Sequence, residues 1–271
     1  MIPATLRYHR ASSVEDALAV LAEHDDEAKL LAGGHSLLPL MKLRLAAPEV
    51  VVDIGGLTEL SYVRLDGDDV AIGALTRYHD LARDPVLADH APLVAHVAGV
   101  IGDPQVRHRG TIGGSVAHGD AAADLPAALL AAEASFVVRG RDGLRTVPAK
   151  EFFLGPFTTA LEPDEVLTEI RLPRADHVGW GFEKFTRRAI DWAIVGVAVQ
   201  GDNVGLINMA GTPIRAEATE RALADGASIP EAAALAAEDT SPADEPHATA
   251  EYRKHLARVL TERALVRARR G

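Results

Sequence analysis

Apolar positions along this chain change their spacing repeatedly, and each change marks an element. Val14, Ala17, Leu18 and Leu21 recur at helical spacing behind Ser12-Ser13-Val14-Glu15. That serine-to-glutamate pattern reads as a capping box, so a first helix is predicted to about residue 23. Two short apolar runs follow, Lys29-Leu30-Leu31-Ala32 and Val50-Val51-Val52-Asp53-Ile54, each ending at a glycine pair. Helix, strand, loop and strand in that order predict a small α/β lobe. Residues 62–65 and 70–72 flank Asp66-Gly67-Asp68, and residues 135–138 and 145–147 flank Arg141-Asp142-Gly143. Both patterns are those of hairpins. Between them one helix is predicted from about Pro85 towards Val100. Another opens at Asp124-Leu125-Pro126, with an acid near the cap and a proline in the first turn.

Residues 166–172 are the last strand expected before Pro173-Arg174-Ala175-Asp176, the best linker candidate. Beyond it, 181–186, 193–200 and 204–210 predict a three-stranded antiparallel meander, with Gly201-Asp202-Asn203 as a tight turn. Residues 216–223, 231–237 and 249–270 are predicted as helices covering one face, and 240–247 as an exposed loop. No internal repeat interrupts the series.

Composition narrows the picture. A length of 271 residues allows two domains or three compact lobes, and 48% hydrophobic with only 4% aromatic residues predicts an aliphatic core. A net charge of −11 disfavours general binding to a nucleic-acid backbone, which relies on clustered Lys and Arg. The last 21 residues run the other way, with seven basic and two acidic side chains for a balance of +5. They suit either a terminal helix with cations near its C-terminal dipole end or a docking surface for an acidic partner or membrane face. The absence of cysteine excludes disulfides, thiolate zinc sites, iron–sulfur ligation by this chain and a flavin tethered through sulfur. Met1-Ile2-Pro3-Ala4-Thr5 begins no secretory pattern and no apolar run reaches about 18 residues, so a soluble cytoplasmic protein is expected.

The chemistry lies around two glycine pairs, Leu31-Ala32-Gly33-Gly34-His35-Ser36-Leu37 and Thr111-Ile112-Gly113-Gly114-Ser115. Paired glycines let a backbone turn and approach a ligand without a Cβ, and successive N–H groups in such turns make anion-binding concavities. Each pair is followed closely by a hydroxyl, a further donor. Taken singly, either could be an ordinary turn; together they suit a ligand carrying a diphosphate, which points to a dinucleotide. Neither has the three-glycine spacing of a Rossmann fingerprint. Pro39 also argues against a clean helix start after the first, which disfavours a nicotinamide domain of that type.

Neighbouring residues leave alternatives open. Arg107 and Arg109 could meet phosphate or remain solvated. Asp124 could accept from ribose hydroxyls or merely cap the helix behind it. Lys184, between Phe182 and Phe185, could stabilise charge on an electron-rich ring or stand on the solvent side of an edge strand. Trp192 could anchor a core or cover a planar cofactor. Eleven histidines, including His79, His90, His96, His108 and His118, show no HExxH-type pair, and no serine sits in a nucleophile elbow, so neither a metal site nor a catalytic base is assigned.

The segment Ala32-Gly33-Gly34-His35-Ser36-Leu37-Leu38-Pro39, with Met41-Lys42-Leu43-Arg44, resembles the first FAD-binding segment of the medium subunits of molybdenum hydroxylases. Thr111-Ile112-Gly113-Gly114-Ser115-Val116-Ala117-His118, with Asp124-Leu125-Pro126-Ala127, resembles their second. Ile101-Gly102-Asp103-Pro104-Gln105-Val106-Arg107 and Asp191-Trp192-Ala193 are most similar to the carbon monoxide dehydrogenase branch, and the likeness spans essentially the whole chain. It implies an α+β fold: a two-lobed PCMH-type, vanillyl-alcohol-oxidase-like FAD-binding domain over residues 1–173, with lobes of about 1–57 and 58–173. A C-terminal α+β domain over 174–271, with a three-stranded antiparallel sheet and helices, follows. It implies that residues 31–37 and 111–115 grip FAD on its diphosphate and adenosine side and that Asp124 contacts ribose or flavin. Ile101 and Leu167 would pack on the cofactor, Lys184 would approach the isoalloxazine, and Trp192 would stand where relatives often carry tyrosine. Alanine at 121 replaces a proline found in many relatives. The lack of cysteine separates the chain from the benzoyl-coenzyme-A-reductase branch, whose medium subunit holds an extra iron–sulfur cluster.

The function implied is electron transfer. FAD in this chain would collect electrons from the [2Fe-2S] clusters of a small subunit, after a large molybdopterin subunit has oxidised substrate, and reduce quinone, NAD or oxygen. A dimer of heterotrimers is the implied assembly, with peripheral membrane contact open. Two rival readings are a free-standing FAD oxidoreductase acting on a small substrate, and a nucleotide-binding assembly protein without redox use.

Overall fold

Three sheets and one short hairpin, in chain order, organise residues 2–270, which the computed structural model describes. The first sheet contains β1 (Arg7–Arg10), β2 (Ala28–Leu31) and β3 (Val50–Asp53), parallel in the order β1-β3-β2. α1 (Val14–His24) crosses from β1, and its Val14, Ala17, Leu18 and Leu21 pack with Val50 and Val52. Its cap lies one residue later than predicted. The Ser13 hydroxyl accepts from the Asp16 N–H at 3.1 Å, and the Asp16 carboxylate reaches back to the Ser12 N–H at 2.8 Å. α2 (Leu37–Lys42) starts directly after the first glycine loop and runs through Pro39. Pro39 therefore does not prevent a helix start, because it stands in the first turn, where no N–H has an intrahelical partner.

The second sheet is antiparallel and has the order β4-β5-β10-β6-β7. The β4 (Val63–Asp66) and β5 (Asp69–Gly73) hairpin supplies one side. Helices then occupy the chain: α3 (Tyr78–Leu81), α4 (Pro85–His90), α5 (Pro92–Val100), α6 (Pro104–Arg107), α7 (Ile112–His118) and α8 (Asp124–Ala131). The single helix predicted from Pro85 is thus two, broken at Ala91, because proline disfavours helical backbone in the residue before it. The hairpin of β6 (Ser135–Gly140) and β7 (Gly143–Pro148) supplies the other side. After α9 (Ala149–Phe152) and the small pair β8 (Phe153–Gly155) and β9 (Thr158–Thr159), β10 (Val166–Pro173) inserts between the two hairpins.

The third sheet is a meander of β11 (Trp180–Phe185), β12 (Val195–Gln200), β13 (Asn203–Ile207) and β14 (Ile214–Arg215). β14 adds a fourth, two-residue strand to the three predicted. α10 (Glu217–Ala224), α11 (Ile229–Ala234) and α12 (Ala250–Ala268) complete the chain. One face of β12 and β13 carries Val195, Val197, Val199, Val204 and Leu206 against α12, while Ala198 and Ile207 face the core that contains α8. Glycines permit the closest of these contacts. A Cβ on Gly181 would lie 2.1 Å from the Ala264 carbonyl oxygen of α12, and one on Gly205 2.1 Å from that of Ala127 in α8.

The segment expected as a linker is pinned. Ala175 donates its N–H to the His90 carbonyl at 2.8 Å, and the Asp176 carboxylate meets His90 Nδ1 and the Arg174 guanidinium. No helix among the described residues is long and apolar enough to cross a membrane.

Candidate cofactor site

β2 delivers the first glycine loop and α2 begins immediately after it, so the loop is held at both ends. Gly34 has φ +75°, the left-handed region that glycine enters freely. Gly33 serves a different purpose: a Cβ there would lie 2.3 Å from the Arg109 carbonyl oxygen. The first loop therefore rests directly on the lead-in to the second. Among the described residues, no protein acceptor receives the N–H of Gly33, Gly34, His35, Ser36 or Leu37. Consecutive backbone donors without a protein partner at a helix start suit an anionic ligand.

The second loop works differently from the first. Thr111 caps α7 by accepting from the Gly114 N–H at 3.2 Å, Gly113 donates to the Ala74 carbonyl at 2.8 Å, and Ile112 donates to that of Thr76 at 3.0 Å. These amides already have partners. What the loop offers is the narrow profile of its glycines and the Ser115 hydroxyl. Gly113 also has no room for a Cβ, which would lie 2.6 Å from that of Ala74.

The loops line one cavity of about 830 Å³, within the range of roughly 300–1,000 Å³ usual for small-molecule sites. Residues 31–37, Ile101, Thr111, Gly113, Gly114, Ser115, Asp124, Leu167, Lys184 and Trp192 all reach its wall. Ile112 does not. Its side chain is fully buried as the first residue of α7, where it belongs to the core.

Asp124 and Lys184 form the charged part of this wall. Lys184 Nζ lies 2.7 Å from Asp124 Oδ2, and both side chains are largely enclosed. The alternative in which Asp124 caps α8 fails, because Ala123 occupies the cap position and no α8 amide donates to the carboxylate. Lys184 is likewise not on a solvent face, although β11 is an edge strand. Burial pushes the Asp124 carboxyl above its ordinary range, against the opposing influence of the Lys184 charge and hydrogen bond. Its Oδ1 is buried without a partner. An orphaned acceptor of that kind is costly unless a ligand donates to it.

Trp192 is 61% exposed, so it is not a core anchor. Arg107 does not face the cavity: its Nη1 donates to the carbonyls of Ile101 and Gly102, both at 3.0 Å. Arg109 is exposed and also stands off the cavity wall. In the basic C-terminal segment, Arg253 pairs with Glu245, Arg267 with Glu183 and Arg269 with Asp202, so those cations serve internal ion pairs.

Sequence reasoning missed Tyr78, Phe157 and Ile190, which also line the cavity. Tyr78 is buried, and desolvation pushes its hydroxyl up to about 12. A Cβ on Gly110 would lie 2.5 Å from its ring, a spacing signal that exists only in three dimensions. Phe157 and Ile190 carry no motif; they matter through exposure at the cavity wall.

Free amides, a one-sided acceptor beside a lysine and apolar surface together fit a ligand with an anionic centre, hydrogen-bonding groups and a planar ring, as FAD has. Residues 4–175 match the family described as "FAD binding domain in molybdopterin dehydrogenase", and residues 180–268 the "CO dehydrogenase flavoprotein C-terminal domain". The chain is 44% identical to the carbon monoxide dehydrogenase medium chain of Hydrogenophaga pseudoflava, covering 98% of this chain and 97% of that one. It is 40% identical to the corresponding chain of Afipia carboxidovorans, covering 99% and 98%. A solved structure of the Hydrogenophaga pseudoflava carbon monoxide dehydrogenase, in a form lacking the Mo-pyranopterin moiety, superposes with a TM-score of 0.96 at 45% identity, covering 100% of this chain and 99% of that one. The chain therefore belongs to the FAD-binding medium subunits of the molybdenum hydroxylase family of oxidoreductases, which includes the carbon monoxide dehydrogenase medium chains.

Proposed function

We propose that this chain is the electron-transfer subunit of a molybdenum hydroxylase complex, taking electrons from the [2Fe-2S] clusters of a small subunit and passing them to quinone, NAD or oxygen. The observation that carries the reading is the shared cavity, whose wall contains the five residues with unpaired amides and the half-satisfied Asp124. FAD, when bound, supplies chemistry that links one-electron and two-electron redox steps. The chain's residues supply binding and electrostatics. The amides of residues 33–37 and the Ser115 hydroxyl bind the diphosphate, and Thr111, Gly113 and Gly114 hold the second wall close. Asp124 Oδ1 accepts from a ribose hydroxyl or ring N–H, and Lys184 places positive charge beside the isoalloxazine. Ile101, Leu167 and Trp192 pack on the cofactor and exclude water.

In this reading residues 1–173, with lobes 1–57 and 58–173, form the FAD-binding unit and residues 174–271 the second. The partners are the small [2Fe-2S] subunit and a large molybdopterin subunit in a dimer of heterotrimers, in the cytoplasm. Similarity to the two medium chains supports a carbon monoxide dehydrogenase as that complex. The test is FAD content per chain in the native complex, followed by dithionite bleaching and reoxidation by each acceptor. One bleachable FAD per chain is expected; a complex with no FAD on this subunit overturns the reading.

A further inference from the structure

Asn208 directly follows β13 and has φ +62°, a left-handed conformation that asparagine tolerates better than other residues with a Cβ. Its two backbone groups and its Nδ2 are each committed to a different segment. Its backbone N–H donates to the Ala121 carbonyl at 2.8 Å. Its Nδ2 donates to the Ala193 carbonyl at 2.9 Å and to that of Ile194 at 3.4 Å. Its own carbonyl accepts from Arg253 Nη1 at 3.3 Å, and that buried guanidinium is braced in turn by Glu245 at 2.5 Å.

The two segments it joins form separate walls of the cavity. Ala121 stands three residues before Asp124, and Ala193 directly follows Trp192. The loop carrying Ile190, Asp191 and Trp192 has further ties. Ile194 closes its base by donating to the Phe185 carbonyl at 2.9 Å, Arg188 pairs with Asp191 inside it, and Arg187 meets His247 Nε2 at 3.2 Å. None of these three reaches the Asp124 segment. Asn208 reaches both.

We propose that Asn208 is a positioning residue that holds the Trp192 loop and the Asp124 segment in fixed relation across the cavity, through the junction of Ala193, Ala121 and Arg253. Its consequence for cofactor affinity rests on the FAD-binding reading; its consequence for the Trp192 loop does not. Glycine at 208 keeps the left-handed backbone and the amide to Ala121 and removes only the carboxamide, so it separates positioning from folding. Aspartate keeps the shape but turns an acceptor oxygen towards the Ala193 carbonyl.

The full chain is made with Trp180→Phe, which leaves Trp192 as the single tryptophan. Asn208, Asn208→Gly and Asn208→Asp are compared by time-resolved fluorescence anisotropy of Trp192 in the FAD-free chain, which reads the mobility of an exposed side chain, and by FAD titration. Both variants are expected to stay folded, with a larger fast component in the anisotropy decay and the FAD Kd raised about tenfold, the scale of one lost hydrogen bond. An unchanged decay in a folded variant overturns the proposal, as does a more mobile Trp192 with parental FAD affinity. If the parent chain binds no FAD, the proposed function fails and the anisotropy result alone decides the role of Asn208.

Discussion

Replacing Lys184 with methionine removes the one partner of a carboxylate that is 6% exposed. The volume stays nearly constant, so the cost is electrostatic. Asp124 would then have neither oxygen satisfied, since Oδ1 is already without a partner. Breaking a buried pair from one side costs about 3–5 kcal/mol, and the lower figure applies because the lysine keeps 12% exposure at the cavity wall. At about 2–4 °C per kcal/mol for chains of this size, a loss of ~3 kcal/mol lowers the unfolding midpoint by about 6–12 °C.

The loss must depend on pH, and its sign is fixed. The folded Asp124 carboxyl already titrates above its ordinary value because of burial, so its contribution to stability is full below the unfolded value and declines as pH rises through the folded one. Losing Lys184 raises the folded value further and extends that decline upward. Thermal unfolding of the FAD-free chain should therefore show a deficit that is small at pH 5 and full at pH 8. Asp124→Asn added to Lys184→Met should recover most of it and remove the pH dependence. A deficit below ~1 kcal/mol at pH 8, or an equal deficit at both pH values, refutes the reasoning.

Gly33→Ala should separate the two loops, because the new Cβ meets a backbone oxygen that no rotamer change can move. A stability loss of about 1–3 kcal/mol and depleted FAD per purified chain are expected, measured by unfolding and absorbance. Trp192→Ala should do the opposite: stability unchanged to within about 0.5 kcal/mol, as for exposed sites, with an altered flavin absorbance spectrum in the loaded chain.

Much of this fold was legible because its elements carry strong local patterns. Val50-Val51-Val52 declares a buried strand, and the two Asp-Gly turns declare hairpins. β1 was not legible, since Arg7-Tyr8-His9-Arg10 has no apolar run and becomes a strand only by pairing with β3. Pro39 misled because the rule against proline in helices lapses in the first turn. At the site, the glycine pairs announced close approach, but not what approached. Gly33 accommodates the Arg109 carbonyl, and Gly113 the Ala74 backbone. Which amides stay free is likewise a tertiary fact: Ala74 and Thr76, some 40 residues earlier in the chain, take two from the second loop. The salt bridge of Asp124 to Lys184 spans 60 residues and two sheets, beyond any local signal.

α8 has every residue buried, packed on the third sheet on one side and on α5 and α7 on the other, within the core that also holds second-sheet residues, with Gly205 giving its backbone direct entry. The two matched families meet near residues 175–180, yet this helix belongs to both interiors. Inheritance has a seam there that solvation lacks. A truncation at that seam would strip the cover from one flank of α8 and leave Asp124, its first residue, without the lysine that neutralises it.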